Sequence, residues 1–242
     1  MRTPTPPLLL SQLERNPMLR SIVLVTCLLS AGPSLAQTAT WTSEATVGVV
    51  NDYRYRGYSL SGNDPALQGG LTFTHRSGFY ADAYVSTIEE YGVGDDGDGA
   101  EVEITGSLGW NGSVSGYDID ASVAVYRYPD GDDVNYYELP VQVSRTFDAL
   151  TGTLGFAYAP DQEALGDDDN RYGWASLNFA PHDWPVGLNG RLGYEDGAFA
   201  PGGKTDWEVG VSRDLGPATL GLAWTDSDLT AGAVIASLFI GF

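Results

Sequence analysis

Only one cysteine, Cys27, stands among the 242 residues, and it falls in a leader-like segment. The rest of the chain therefore has no disulfide, thiolate nucleophile or zinc–thiolate site, which suits export through an oxidising compartment. Thr26 precedes Cys27 where a lipobox wants Gly, Ala or Ser, so an acylated anchor is not expected. Basic residues are scarce, 12 Lys and Arg against 32 Asp and Glu, for a net charge of −20. That excludes nucleic acid as a partner, because binding phosphates needs a basic face. Beyond the leader no apolar run approaches the roughly 20 residues of a transmembrane helix, and hydrophobic residues make up only 43%. The two histidines, His75 and His182, have no serine nucleophile and carboxylate at catalytic spacing. Neither an enzyme nor a cofactor is expected.

Residues 1–36 read as a signal peptide. Arg20 supplies positive charge, residues 21–29 form an apolar core too short to span a bilayer, and Ser34-Leu35-Ala36 places small residues where a signal peptidase cuts. The Pro-rich stretch before Met18 is unusual for a leader and points to translation starting at Met18. Residues 37–242 then form a single domain, more acidic still.

That domain reads as short segments of alternating apolar and polar residues, joined by turns that switch between short and long. Period two puts alternate side chains on opposite faces of a sheet. About twelve strands are predicted, an even number as bacterial barrels require: 44–56, 66–74, 79–87, 101–110, 117–128, 134–146, 150–159, 171–180, 186–195, 205–213, 218–225 and 233–242. Asn111-Gly112 is a hairpin signal, and 196–204 reads as a loop. With the N-terminus starting in the periplasm, short turns fall there and the strongly acidic loops fall outside. Outward Phe73, Phe79, Trp110, Tyr117, Phe179 and Phe242 would form one aromatic belt; Tyr53, Tyr55, Tyr137, Tyr158, Tyr194, Trp207 and Trp224 would form the other. The expectation is a closed antiparallel transmembrane β-barrel of the bacterial outer membrane. Phe242, a terminal aromatic carboxylate, looks like the signal read by the barrel-assembly machinery.

The inward faces carry the candidate pore-lining residues: Asp52, Arg54, Arg56, Asp82, Glu101, Glu103, Asp118, Asp120, Glu138, Arg191, Glu195 and Glu208. Inward Tyr80, Tyr84, Tyr126, Tyr136, Tyr172 and Trp174 accompany them. Two interiors satisfy this pattern. One is a narrow aqueous passage whose acidic lining favours cations; the other is a lumen filled by ion pairs and aromatic rings. Asp95, Asp96 and Asp98, and Asp167, Asp168 and Asp169, resemble pieces of calcium loops but lack the full ligand spacing. No metal site is assigned; weak, exchangeable divalent binding is the expectation there.

Gly48-Val-Val-Asn-Asp-Tyr-Arg-Tyr-Arg-Gly57, Asp64-Pro-Ala-Leu-Gln-Gly-Gly70 and His75-Arg-Ser-Gly-Phe-Tyr80 resemble the opening of the TorF family of proteobacterial porins, and Ala124-Val-Tyr-Arg-Tyr-Pro129 with Tyr136-Tyr-Glu138 extends the likeness. The chain departs in Leu60 and in its unusually acidic loops. The resemblance implies an outer-membrane barrel and a pore, with no catalytic residues. The implied partners are outer-membrane lipid, lipopolysaccharide, and small hydrophilic solutes or cations. The runner-up is a non-conducting, surface-binding barrel whose acidic loops hold divalent cations. Within the motif, Gly57 permits a sharp turn, and Pro65 with Gly69-Gly70 shapes the return. Arg54 and Arg56 therefore read as part of a packed internal latch in preference to a solute site.

Overall fold

A computed structural model describes residues 40–94 and 97–242. The proposed signal peptide, its start at Met18 and its cleavage after Ala36 lie outside the described residues, as do Asp95 and Asp96. The strands are β1 (Trp41–Val50), β2 (Arg54–Tyr55), β3 (Tyr58–Ser59), β4 (Ala66–His75), β5 (Phe79–Tyr91), β6 (Ala100–Val114), β7 (Tyr117–Arg127), β8 (Tyr136–Phe147), β9 (Leu150–Gln162), β10 (Asp168–Phe179), β11 (Gly187–Gly197), β12 (Ala200–Leu215), β13 (Ala218–Ser227) and β14 (Ala233–Gly241). All but β2 and β3 form one closed barrel of twelve antiparallel strands, with β1 completing the ring against β14 and β4. Closure is obligatory in hydrocarbon, where each unpaired N–H or C=O costs several kcal/mol. Phe242 seals the seam: its N–H donates to Ala45 O at 2.9 Å and its carbonyl accepts from Ala45 N–H at 3.2 Å.

The burial pattern is inverted relative to a soluble protein. Leu67, Leu108, Leu154, Leu192, Val209 and Leu222 are exposed on the outside, while Glu103, Glu138, Glu195, Lys204 and Asp206 are fully buried inside. Strict alternation produces this, since neighbours along β6 such as Ser107 and Leu108 face opposite sides. Outward Phe73, Phe79, Tyr117 and Phe147 mark one rim, and outward Tyr137, Tyr194, Trp207 and Trp224 mark the other.

Four sequence expectations are corrected. The first strand was read through residue 56, but the wall strand ends at Val50. The hairpin turn between β6 and β7 is not at Asn111-Gly112. Those residues lie within β6, opposite Asp120 and Ile119, and the chain turns at Ser115 and Gly116, φ 53° and 81°. Positive φ at both central positions gives the twist that a two-residue hairpin needs. Segment 196–204 is not a loop: β11 and β12 extend through it, with a register shift between Glu195 and Gly197. Finally, Tyr53 and Tyr55 do not join the outer belt; both are buried, at 0% and 4% exposure.

Candidate functional site: the lumen and its internal plug

Beyond Val50 the chain leaves the wall and folds into the barrel. Residues 51–65 form a plug whose core is the hairpin β2–β3, with Tyr55 opposite Tyr58 and Arg56-Gly57 as its two-residue turn. Both turn residues have positive φ, 46° and 86°. Gly57 is required there: a Cβ would lie 2.7 Å from Ser227 Cβ. Arg56 occupies a left-handed position that disfavours an L residue by about 1–2 kcal/mol, so its contacts must hold it.

Those contacts cross the bore. Arg56 Nη1 and Nη2 donate to the two Glu138 carboxylate oxygens at 3.1 and 3.0 Å, and Nη1 donates to Glu195 Oε1 at 2.6 Å. The guanidinium also lies 4.1 Å from the Tyr172 ring centroid and 4.6 Å from that of Tyr55. Burial alone would lower the pKa of Arg56. The Glu138 carboxylate and its neighbours more than offset this and hold the pKa above its ordinary value. Lys204 Nζ lies 2.6 Å from Glu195 Oε2 and 3.9 Å from the Tyr58 ring centroid, and Asn170 donates to Glu195 Oε1 at 3.0 Å. Two cations thus meet two carboxylates in a buried cluster.

A second anchor is tyrosine on glutamate. Tyr53 and Tyr128 each donate a hydroxyl hydrogen bond to Glu103 at 2.8 Å. Burial raises the Tyr53 pKa and the Glu103 charge raises it further, so the phenol keeps the proton that it donates. Asp52 pairs with Arg54 at 2.6 Å and accepts from Ser59 at 2.6 Å. Arg54 also reaches Asn63 at 2.8 Å and Ala231 O at 2.6 Å, tying the plug to the β13–β14 connection. Each strand from β4 to β13 presents at least one buried lumen side chain, and the plug sits across the bore, bonded to Glu103, Glu138, Glu195, Thr230 and Ala231.

Beneath the plug a cavity of about 240 Å³ opens toward the short-turn rim. Its lining includes Asp52 and Arg54 from the plug and Gln142, Trp174, Asn189, Arg191 and Glu208 from the wall. Arg191 donates to Tyr172 Oη at 2.6 Å and pairs with Asp206 at 3.1 Å. Asn189 donates to Glu208 at 3.2 Å.

The expected lining residues therefore divide. Asp52, Arg54 and Arg56 sit in the plug; Glu103, Glu138 and Glu195 hold it; Asp82 is buried inside. Asp120, which accepts from Tyr80 Oη at 3.0 Å, lies in the lumen with Arg191 and Glu208. Two are solvent-exposed toward the ends of their strands. Glu101 is exposed beside the register shift that follows Thr87, which breaks the inward alternation, and Asp118 is exposed near the short-turn rim, where Ser113 donates to it. Lys204, Asn170 and Tyr128 were missed. Lys204 had been read into a loop, and only the pairing of β11 with β12 brings it to Glu195. Asp169 pairs with Arg171. Among the described residues no group of three or more His, Cys, Asp or Glu side chains is placed to hold a metal ion.

A family model described as "Bacterial protein of unknown function (Gcw_chp)" matches residues 35–237. The chain belongs to the Gcw_chp family. No curated protein matches it by sequence. Among solved structures, this Gcw_chp barrel is similar to the KdgM porin in complex with disordered oligogalacturonate, with a TM-score of 0.55 and 9% identity over 83% of this chain and 96% of that one. It is also similar to the NanC porin, with a TM-score of 0.52 and 11% identity over 83% of this chain and 98% of that one. At these identities the likeness establishes the shared barrel fold.

Proposed function

We infer that this Gcw_chp protein is an outer-membrane channel of porin type for small hydrophilic solutes, with a preference for cations. The observation that carries the reading is the inverted barrel: an apolar outer wall with aromatic rims around a charged interior. Inside, Asp52, Asp82, Glu103, Asp120, Glu138, Glu195, Asp206 and Glu208 outnumber Arg54, Arg56, Arg191 and Lys204. A low-dielectric wall focuses such a field on the bore, where it attracts cations and repels anions. Polyanions such as the oligogalacturonate in the KdgM complex therefore do not suit this lumen. The motif resemblance to TorF-family porins and the shared fold with KdgM and NanC support the same reading. So does the signal peptide expected at residues 1–36.

Single-channel recording across a KCl gradient tests it. The expected result is openings with a cation-side reversal potential that moves toward zero in the triple variant Asp82→Asn, Asp120→Asn, Glu208→Gln. Openings that are anion-selective in the unaltered protein would overturn the cation preference. The closure of the bore at the plug favours a second reading, a non-conducting barrel that binds divalent cations or lipopolysaccharide through acidic loops. It predicts permanent silence from folded protein and thermal stability that rises with calcium.

A further inference from the structure

We propose that residues 51–65 are a withdrawable plug pinned by Arg56, and that Glu138 and Glu195, which hold the pin, become the cation filter when it leaves. The proposal rests on the channel reading above. The first ground is that the wall needs only Asn51 of this segment, whose backbone and side chain bond Val234 and Ala236 of β14. Val50 and Ala66 are already register partners at the ends of β1 and β4, so a two-residue turn would complete that hairpin. The remainder of the segment serves the lumen.

The second ground is the chemistry of the contact. At its pin the plug meets the wall through charge and hydroxyl groups, Arg56 on Glu138 and Glu195, Tyr53 on Glu103, and Gly57 O accepting from Thr230 Oγ1 at 2.8 Å, beside a buried apolar cluster that takes in Tyr53, Tyr55 and Leu60 of the plug with Tyr84, Tyr126 and Tyr136 of the wall. Groups of this kind are re-solvated when water enters. A buried ion pair gains in mutual attraction little more than it loses in hydration, so the pin adds only modestly to the free energy that seats the plug.

The third ground is position. The plug is fixed to the wall at both its ends, and its other ties, Arg54 to Ala231 O and Leu60 O to the Glu89 N–H at 2.8 Å, are to the long-loop rim. The hairpin can therefore swing toward that mouth while staying attached. Arg56 also stands in a left-handed turn position that Asn or Gly fills with less strain, so its presence there points to the guanidinium rather than to the turn. Once Arg56 leaves, the Glu138 carboxylate and the Glu195 carboxylate, still paired with Lys204, face the aqueous bore, with Glu103 beside them after Tyr53 goes. The contacts that close the channel thereby set its selectivity when open.

The experiment compares four refolded proteins, each shown folded by heat-modifiable mobility. They are the unaltered chain, Arg56→Asn, a variant with 51–65 replaced by Asn-Gly, and that same variant carrying Glu138→Gln and Glu195→Gln. The unaltered chain should open rarely. Arg56→Asn, which suits the turn but lacks the pin, should raise the open probability several-fold. The excised variant should conduct steadily with a larger unit conductance and a strong cation-side reversal potential, which the two Gln substitutions should bring toward zero. If the unaltered chain conducts as steadily as both Arg56→Asn and the excised barrel, the plug proposal falls while the channel reading stands. If folded excised barrel is silent as well, the channel reading falls and takes the plug with it. A reversal potential indifferent to Glu138→Gln and Glu195→Gln overturns the filter role alone. Should excision prevent folding, Arg56→Asn decides the gating role by itself.

Discussion

Arg56 shows how one side chain can stand against local preference. Its φ of 46° is unfavourable for an L residue, yet a bidentate bond to Glu138, a bond to Glu195 and two aromatic faces hold it. Charge-assisted hydrogen bonds of this kind are roughly twice as strong as neutral ones, and the site is buried. The Tyr53 hydroxyl works on the same principle at Glu103. Tyr53→Phe keeps the ring and removes one donor from a buried carboxylate; it should destabilise the barrel by about 1.5–3 kcal/mol, read as a lower urea midpoint with unchanged slope. An unchanged midpoint would mean that Glu103 finds a replacement donor in the lumen. The sequence named both glutamates and Arg56 as inward. It did not name Tyr53, because period-two alternation assigned that residue to the opposite face.

At the scale of the strand, alternation decides which substitutions the wall tolerates. Leu108, exposed on the outside near the middle of β6, faces lipid, and its neighbour Ser107 faces the lumen. Leu108→Arg should cost about 2–4 kcal/mol in a bilayer, whereas Ser107→Asn should cost far less; folding titrations into vesicles would distinguish them. Equal costs would contradict the assigned faces. The strands were legible in the sequence because each must alternate to satisfy lipid on one side and water or polar groups on the other. Their ends were less so. The Asn111-Gly112 turn signal was overridden because β6 and β7 continue pairing to Val114 and Tyr117, and continued pairing satisfies more backbone groups than an early turn.

On the scale of the whole molecule, the last residue meets the first strand. Phe242 exchanges two backbone hydrogen bonds with Ala45 and leaves its ring largely exposed, at 72%. Deleting Phe242 removes both bonds at the seam and the terminal aromatic carboxylate. The expected outcome is a several-fold drop in barrel assembled into outer membranes, with a smaller effect on spontaneous refolding into detergent. Equal effects in both assays would leave Phe242 with a purely structural role. The acidic lumen, the closed seam and the plug then act together: closure makes the bore, the carboxylates give it a sign, and residues 51–65 occupy it.

The sequence by itself determined the closed twelve-stranded barrel, the inward placing of the charges and the sorting of acidic loops to one rim, because alternation and the need to satisfy every backbone group in lipid are written locally along each strand. Only the tertiary structure decided that 51–65 leaves the wall. Alternation runs on unbroken through Asp52, Tyr53, Arg54, Tyr55 and Arg56, so a wall strand and an inward hairpin look alike there. The choice rests on Glu138 and Glu195, 82 and 139 residues further along the chain, which only the closed barrel brings to Arg56.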